Sequence, residues 1–252
     1  MKPAVLTYMD EMSRLGTVLM GAIVKSLGVE STAFGEQFNE PTVLFRMFHY
    51  PPHNPTKFNE KSVGVGEHTD YGYLTILKQD DSGGLQAKTP VRGKTARGVK
   101  VKSADERPAT DLLEWIDVPP IRNTFVVNLG DSLQHNTGGL LLATTHRVQQ
   151  RTNATTSRYS FPFFFDPSFS AQMQSVQELL TSEDKMLATR NRELLERVGR
   201  WDMSDPTRHT GSYGNYLVGK VAKVFPALAL RVNLTGSVPV QQSQEVTANG
   251  GE

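Results

Sequence analysis

The chain has no cysteine among its 252 residues. That excludes disulfides, thiolate metal ligands and cysteine nucleophiles together, so a metal would have to be held by histidine and carboxylate. It also fits a reducing compartment, because structural disulfides belong mainly to oxidising ones. An excess of one charge is missing as well: 27 Lys+Arg face 26 Asp+Glu, a formal net charge of +1. No global field points to nucleic acid or a membrane surface as partner. Long apolar runs are absent. The run LGTVLMGAIV at 15–24 falls well short of the ~20 residues that span a bilayer. The N-terminal stretch meets Asp10, Glu11 and Arg14 before an apolar segment builds up, unlike a signal peptide. A soluble, cytoplasmic, monomeric protein is the expectation.

What is present reads as a strand-rich core between helices. Apolar residues at Leu6, Met9, Met12, Leu15, Leu19, Ile23 and Leu27 recur at three-to-four spacing, which predicts an amphipathic helix stopped by Gly28. PTVLFRMFHYPP (41–52) predicts a strand closed by a Pro-Pro turn. A second strand is expected over 64–77, then a turn at QDDSGGLQ and a short strand beyond it. EWIDV (114–118) and NTFVVNLGD (123–131) continue the pattern. After Asp166 helical spacing returns in SVQELL, EDKMLATRNRELLERVGRW and YGNYLVGKVAKVF, the last ended by Pro226. The division this implies is a helical segment over 1–40, a core over 41–170, helices over 171–235 and an unpacked tail over 236–252. Many short strands flanked by helices predict a mainly β fold of the jelly-roll, or double-stranded β-helix, type.

GVGEHTDYGYLTIL (64–77) carries the first chemical signal. In a strand, His68 and Asp70 would project to one face, since side chains at i and i+2 do. A third partner is His146, which follows a Gly-Gly turn and a leucine-rich run in NLGDSLQHNTGGLLLATTHRV. Two histidines and one carboxylate form the facial ligand set of non-haem Fe(II), with three positions left open. Zn(II) also accepts such a set. In RYS, Arg158 and Ser160 share the same i, i+2 relation. A guanidinium fork beside a hydroxyl suits capture of a carboxylate, as an anchored dicarboxylate co-substrate would need.

Taken together, GVGEHTDYGYLTIL, GGLQ, NLGDSLQHNTGGLLLATTHRV and RYSFPFFF resemble the Fe(II)/2-oxoglutarate-dependent dioxygenases, in their isopenicillin N synthase-like branch. The resemblance implies that His68, Asp70 and His146 bind Fe(II), and that Arg158 and Ser160 grip the distal carboxylate of 2-oxoglutarate. Tyr50 in FHYPP matches a tyrosine that bonds the same co-substrate, and Phe164 matches a position near the substrate in some relatives. It further implies O2 as oxidant, ascorbate as a reductant and a small organic molecule that is hydroxylated or desaturated as 2-oxoglutarate is decarboxylated to succinate and CO2. PFFF (162–165) is expected to wall the cavity. Two other readings share the pattern: an Fe(II) oxidase of the same fold that consumes no 2-oxoglutarate, and an inactive metal-binding protein.

Relatives usually carry helices and opening strands ahead of the region that matches Met1, so a sheet edge would need other cover. The stretch 88–111 is an insertion relative to typical members, basic through Lys88, Arg92, Lys94, Arg97, Lys100, Lys102 and Arg107. It reads as a solvated extension and not a nucleic-acid patch, because no aromatic residue is interleaved for base stacking. His49, His53, His135 and His209 have no partner at a recognisable spacing, Asp131 shapes a turn, and Gly138-Gly139 serves backbone geometry.

Overall fold

The computed structural model describes residues 1–30, 34, 36–52, 63–90, 113–149, 155–199 and 211–224. Helix α1 (Lys2–Ser26) has a proline in its first turn, where the missing N–H removes no helical bond. It ends before Gly28, which takes a φ of 66°, the left-handed conformation that stops helices. Its buried stripe is Met12, Gly16, Met20 and Val24.

Among the described residues nine strands and one short helix follow: β1 (Thr42–Phe45), β2 (Phe48–Tyr50), β3 (Val63–His68), β4 (Leu74–Gln79), β5 (Leu85–Pro90), β6 (Leu113–Asp117), β7 (Val126–Leu129), α2 (Asp131–Asn136), β8 (His146–Gln149) and β9 (Arg158–Asp166). The first sheet runs β1-β9-β4-β7, with β2 also on β9, and the second runs β3-β8-β5-β6. Every pairing is antiparallel. Strands distant in sequence are neighbours, and from β2 to β5 and from β6 to β9 the chain crosses from one sheet to the other at each step, as in a jelly roll. Helices α3 (Ser182–Val198) and α4 (Tyr213–Val224) follow. The chain divides into two compact units, Met1–Gly214, which holds both sheets, and Asn215–Glu252, of which the helical stretch to Val224 is described. Among the described residues no helix is long and apolar enough to cross a membrane.

The strand expected over 41–52 is two strands, and one residue explains the break. Leu44 faces Phe164, Phe45 faces Phe163 and Phe48 faces Ser160, so the register against β9 never shifts. Between them the Arg46 N–H donates to the Pro162 carbonyl at 3.0 Å. Pro162 has no N–H to return, so the ladder loses one rung.

Alternation along the first sheet sorts side chains to its two faces. Outward go Leu74, Ile76, Phe163 and Phe165, which form the main core with Met12, Met20 and Val24 of α1. Each such buried side chain contributes roughly 1.5–3 kcal/mol over leaving it exposed. Phe165 reaches the helix because Gly16 has no side chain: a Cβ there would stand 2.6 Å from the Phe165 ring. Inward, towards the second sheet, go Leu77 and Val126, which meet Leu85, Val148, Val65, Val118 and Tyr50. The expected PFFF wall is therefore half right. Pro162 and Phe164 share the inner face with Arg158 and Ser160, whereas Phe163 and Phe165 sit in the α1 core.

Candidate metal centre

His68 closes β3, directly opposite His146 at the start of β8. The strand expected over 64–77 stops at His68, bends over 69–73 and resumes as β4. Asp70 is therefore not on the strand face of His68. It is turned to the same point by the bend, which α2 holds from behind. The Asp131 N–H donates to the Asp70 carbonyl at 2.8 Å, Ser132 N–H to the carbonyls of Tyr71 and Gly72, and Gly130 N–H to that of Tyr73. Amides at a helix start lack intrahelical partners, so the bend and the helix satisfy each other. Asp131 keeps the turn-shaping role expected of it.

The three side chains converge. One ligand atom from each of His68, Asp70 and His146 lies within 4.8 Å of the others. Asp70 Oδ1 is 3.7 Å from His68 Nε2 and 3.9 Å from His146 Nε2. Each imidazole is oriented by its other nitrogen: Nδ1 of His68 donates to the Gly66 carbonyl and Nδ1 of His146 to the Thr144 carbonyl, both at 2.8 Å. A proton held on Nδ1 leaves the Nε2 lone pair free for a cation. Burial, and next the neighbouring His146, lower the pKa of His68, with Asp70 pulling the other way; both leading causes favour the neutral ring that a metal needs.

Asp70 is divided between two jobs. Its Oδ2 accepts from Thr75 Oγ1 at 2.5 Å and from Asn128 Nδ2 at 2.7 Å, while Oδ1 faces the histidines. Thr75 and Asn128 are paired across β4 and β7, and Thr75 is paired with Phe164 on β9. One inner row of the first sheet thus carries Phe164, Thr75 and Asn128 beside the three converging side chains. The motif reading passed over Thr75 and Asn128; the only trace of them is that they sit in the same two motifs, YLT and NLGD.

Arg158 and Ser160, expected from the sequence to grip a carboxylate, lie further along the same inner face. Arg158 is paired with Tyr50, and Ser160 with Gln79. The Arg158 guanidinium stands 4.9 Å from the Tyr50 ring centre, donates from Nε to the Gly83 carbonyl at 2.7 Å and from Nη2 to Gln79 Oε1 at 3.4 Å. Its Nη1 is buried and has no hydrogen-bond partner among the described residues. Burial lowers the Arg158 pKa, with Tyr50 and Asp80 opposing. A buried cation with an unmet N–H calls for an anion. A carboxylate fits that nitrogen, and two imidazoles presenting Nε2 with one carboxylate oxygen fit a divalent cation.

The other singled-out residues lie elsewhere. His49 stacks on Tyr159 at 4.9 Å, and buried His135 meets the Met173 carbonyl at 3.3 Å. Gly138 and Gly139 take φ values of 61° and 89°, and their carbonyls accept from Arg192 and Asn191 of α3. Lys88 pairs with Glu67 at 2.8 Å. His53, His209, 91–111 of the basic stretch and the 236–252 tail lie outside the described residues.

Comparison with known proteins agrees with this geometry. The family model described as the 2OG-Fe(II) oxygenase superfamily matches residues 41–167, half of the chain. A probable iron/ascorbate oxidoreductase of Dictyostelium discoideum is 37% identical over 240 residues, covering 90% of this chain and 57% of that protein. A 1-aminocyclopropane-1-carboxylate oxidase of Dictyostelium mucoroides is 30% identical over 251 residues, covering 89% and 60%. The chain thus spans less than two thirds of the length of these relatives. Among solved structures, full-length Neurospora crassa T7H in complex with alpha-KG and 5-formyluracil superposes with a TM-score of 0.64 at 26% identity, covering 88% of this chain and 60% of that one. With the matched segment enclosing both sheets and all three converging side chains, the chain belongs to the 2OG-Fe(II) oxygenase superfamily.

Proposed function

We propose that this protein is an Fe(II)- and 2-oxoglutarate-dependent oxygenase acting on a small organic molecule. His68, Asp70 and His146 hold the metal, and Arg158, Ser160 and Tyr50 hold the co-substrate. The observation that carries the proposal is Arg158 Nη1, a buried nitrogen without a partner on the strand face that leads to the three ligand side chains. When bound, Fe(II) with 2-oxoglutarate supplies the oxidising chemistry: O2 is reduced, 2-oxoglutarate yields succinate and CO2, and the substrate is hydroxylated or desaturated.

The chain's own contribution is placement. The Gly66 and Thr144 carbonyls hold both imidazoles in the tautomer that presents Nε2. Thr75 and Asn128 both donate to Asp70 Oδ2, so Oδ1 would be the oxygen offered to the metal. Arg158, backed by the Gly83 carbonyl and Gln79, offers a charge-assisted bond to a carboxylate, with Ser160 two residues along on the same face. Pro162, Leu77 and Val148 line the space between, and exclude water from the reacting groups.

The test is succinate formation by purified protein given Fe(II), ascorbate and 2-oxoglutarate. Succinate is expected only when metal and 2-oxoglutarate are both present, and a chelator is expected to stop it. Turnover of a substrate without 2-oxoglutarate would instead favour an oxidase, and no succinate under any of these conditions would remove the proposal.

A further inference from the structure

The inner face of the first sheet carries a second arginine. The register of β1 and β2 against β9 is unbroken through Arg46, whose N–H bonds Pro162. Alternation along a strand therefore puts Arg46 on the same face as Leu44, Phe48 and Tyr50. Across from it that face continues through Phe164, Pro162, Ser160 and Arg158. Arg46 stands halfway between the Phe164 row, beside the metal ligands, and the Ser160 row of the clamp.

Its position is at an opening. β1 and β2 form one edge of the first sheet and β3 one edge of the second. The two edges touch at Tyr50 and Gly64, where a Cβ on Gly64 would stand 3.1 Å from the Tyr50 ring. Four residues from that pinch come Arg46 on one edge and His68 on the other, the latter along a β3 whose register against β8 shifts on the way. There the edges are open: Arg46 and Leu44 are exposed, and the His68 side chain is 31% exposed. Arg46 makes no side-chain hydrogen bond or ion pair among the described residues.

We infer that Arg46 receives an anionic group of the prime substrate, so that the substrate class is a small carboxylic acid entering past His68. This rests on the oxygenase reading above and adds to it. The clamp at Arg158 already answers for the co-substrate, one turn of the face deeper and buried, whereas Arg46 is exposed at the opening. A planar guanidinium takes a carboxylate in a fork and fixes its orientation as well as its affinity. Apolar Leu44 and Phe164 beside it would hold the hydrocarbon part.

The test uses succinate formation from 2-oxoglutarate in the presence of paired compounds, each a small aliphatic, arylacetic or amino acid beside its own primary amide. At least one acid is expected to accelerate succinate formation about tenfold more than its amide, the size of a charge-assisted hydrogen bond. The same acid is expected to raise the melting temperature of the Mn(II)- and 2-oxoglutarate-loaded protein without O2, a readout that needs no turnover. Arg46→Gln should abolish both preferences for acid over amide, and Arg46→Lys should restore them in part. Amides as effective as acids, or an acid preference that survives in Arg46→Gln, would overturn the inference. Wild-type protein that forms no succinate with any compound would overturn the oxygenase reading beneath it instead.

Discussion

A Cβ on Gly72 would stand 1.5 Å from Oδ1 of Asp166. The two residues lie far apart in sequence, yet the carboxyl occupies the place where any other residue would carry its side chain. From there Oδ1 accepts the Tyr73 N–H at 2.8 Å and Oδ2 accepts the Tyr213 hydroxyl at 2.7 Å. The bend that aims Asp70 is thus braced from two sides, by α2 and by the end of β9.

Gly72→Ala is expected to destabilise the fold by about 1–3 kcal/mol, the usual consequence of overfilling a packed site. It should also weaken metal binding, since the bend must move to make room. Urea unfolding and an Mn(II) titration measure the two effects. An unchanged unfolding midpoint would mean that the carboxyl moves aside freely.

Asp166 should make stability depend on pH in a direction opposite to an ion-paired carboxylate. Burial raises its pKa from 3.8 to about 7, against the two hydrogen bonds that favour the charged form. The folded state therefore holds a proton that the unfolded state has released, and the contribution is whole below the unfolded value. As pH rises through about 7 it is lost, because the buried carboxyl must ionise. Asp166→Asn keeps a neutral, similarly shaped group, so the difference in unfolding free energy between wild type and variant should shift in the variant's favour as pH rises across this window. A difference that stays flat would sink the assignment.

Thr75→Val removes one donor to Asp70 Oδ2 while keeping the side chain's shape. If Asp70 holds the metal as proposed, loss of a bond that orients it is expected to cost about 10–100-fold in affinity. Equilibrium titration with Mn(II) or Fe(II) checks this, and a Kd equal to wild type would show that Asn128 alone holds the carboxylate.

At the clamp, Arg158→Lys should raise the KM for 2-oxoglutarate by roughly tenfold or more, because an ammonium cannot keep the Gly83 and Gln79 contacts and fork a carboxylate as well. Ser160→Ala should have a smaller effect, about one neutral hydrogen bond. If the serine variant were the more severe of the two, the anion would have to sit elsewhere.

His68, Asp70 and His146, which the fold brings together, and the proposed clamp at Arg158 stood out because each lies in a short motif that carries its own chemistry. How they meet was less so. The expectation that His68 and Asp70 share a strand face reached the right pair through the wrong geometry, since the chain bends after His68. Helix α2, which holds that bend, is six residues long, too short to register as helical periodicity. Thr75 and Asn128 come from strands whose pairing only the folded sheet reveals. Arg46 lay in a segment read correctly as extended, but which face it occupies depends on a register set by β9, more than a hundred positions away. PFFF was taken as one wall because four apolar residues in a row hide the alternation that splits them between cavity and core.

Pro162 leaves the Arg46 carbonyl without its rung, and so puts a crease in the sheet edge between Leu44 and Phe48. On either side of it the ladder is complete. The edge is therefore held by one bond fewer at that single point, while the pairs on either side keep theirs. A residue with a free amide at position 162 could return a bond to the Arg46 carbonyl and join β1 and β2 into one continuous edge strand.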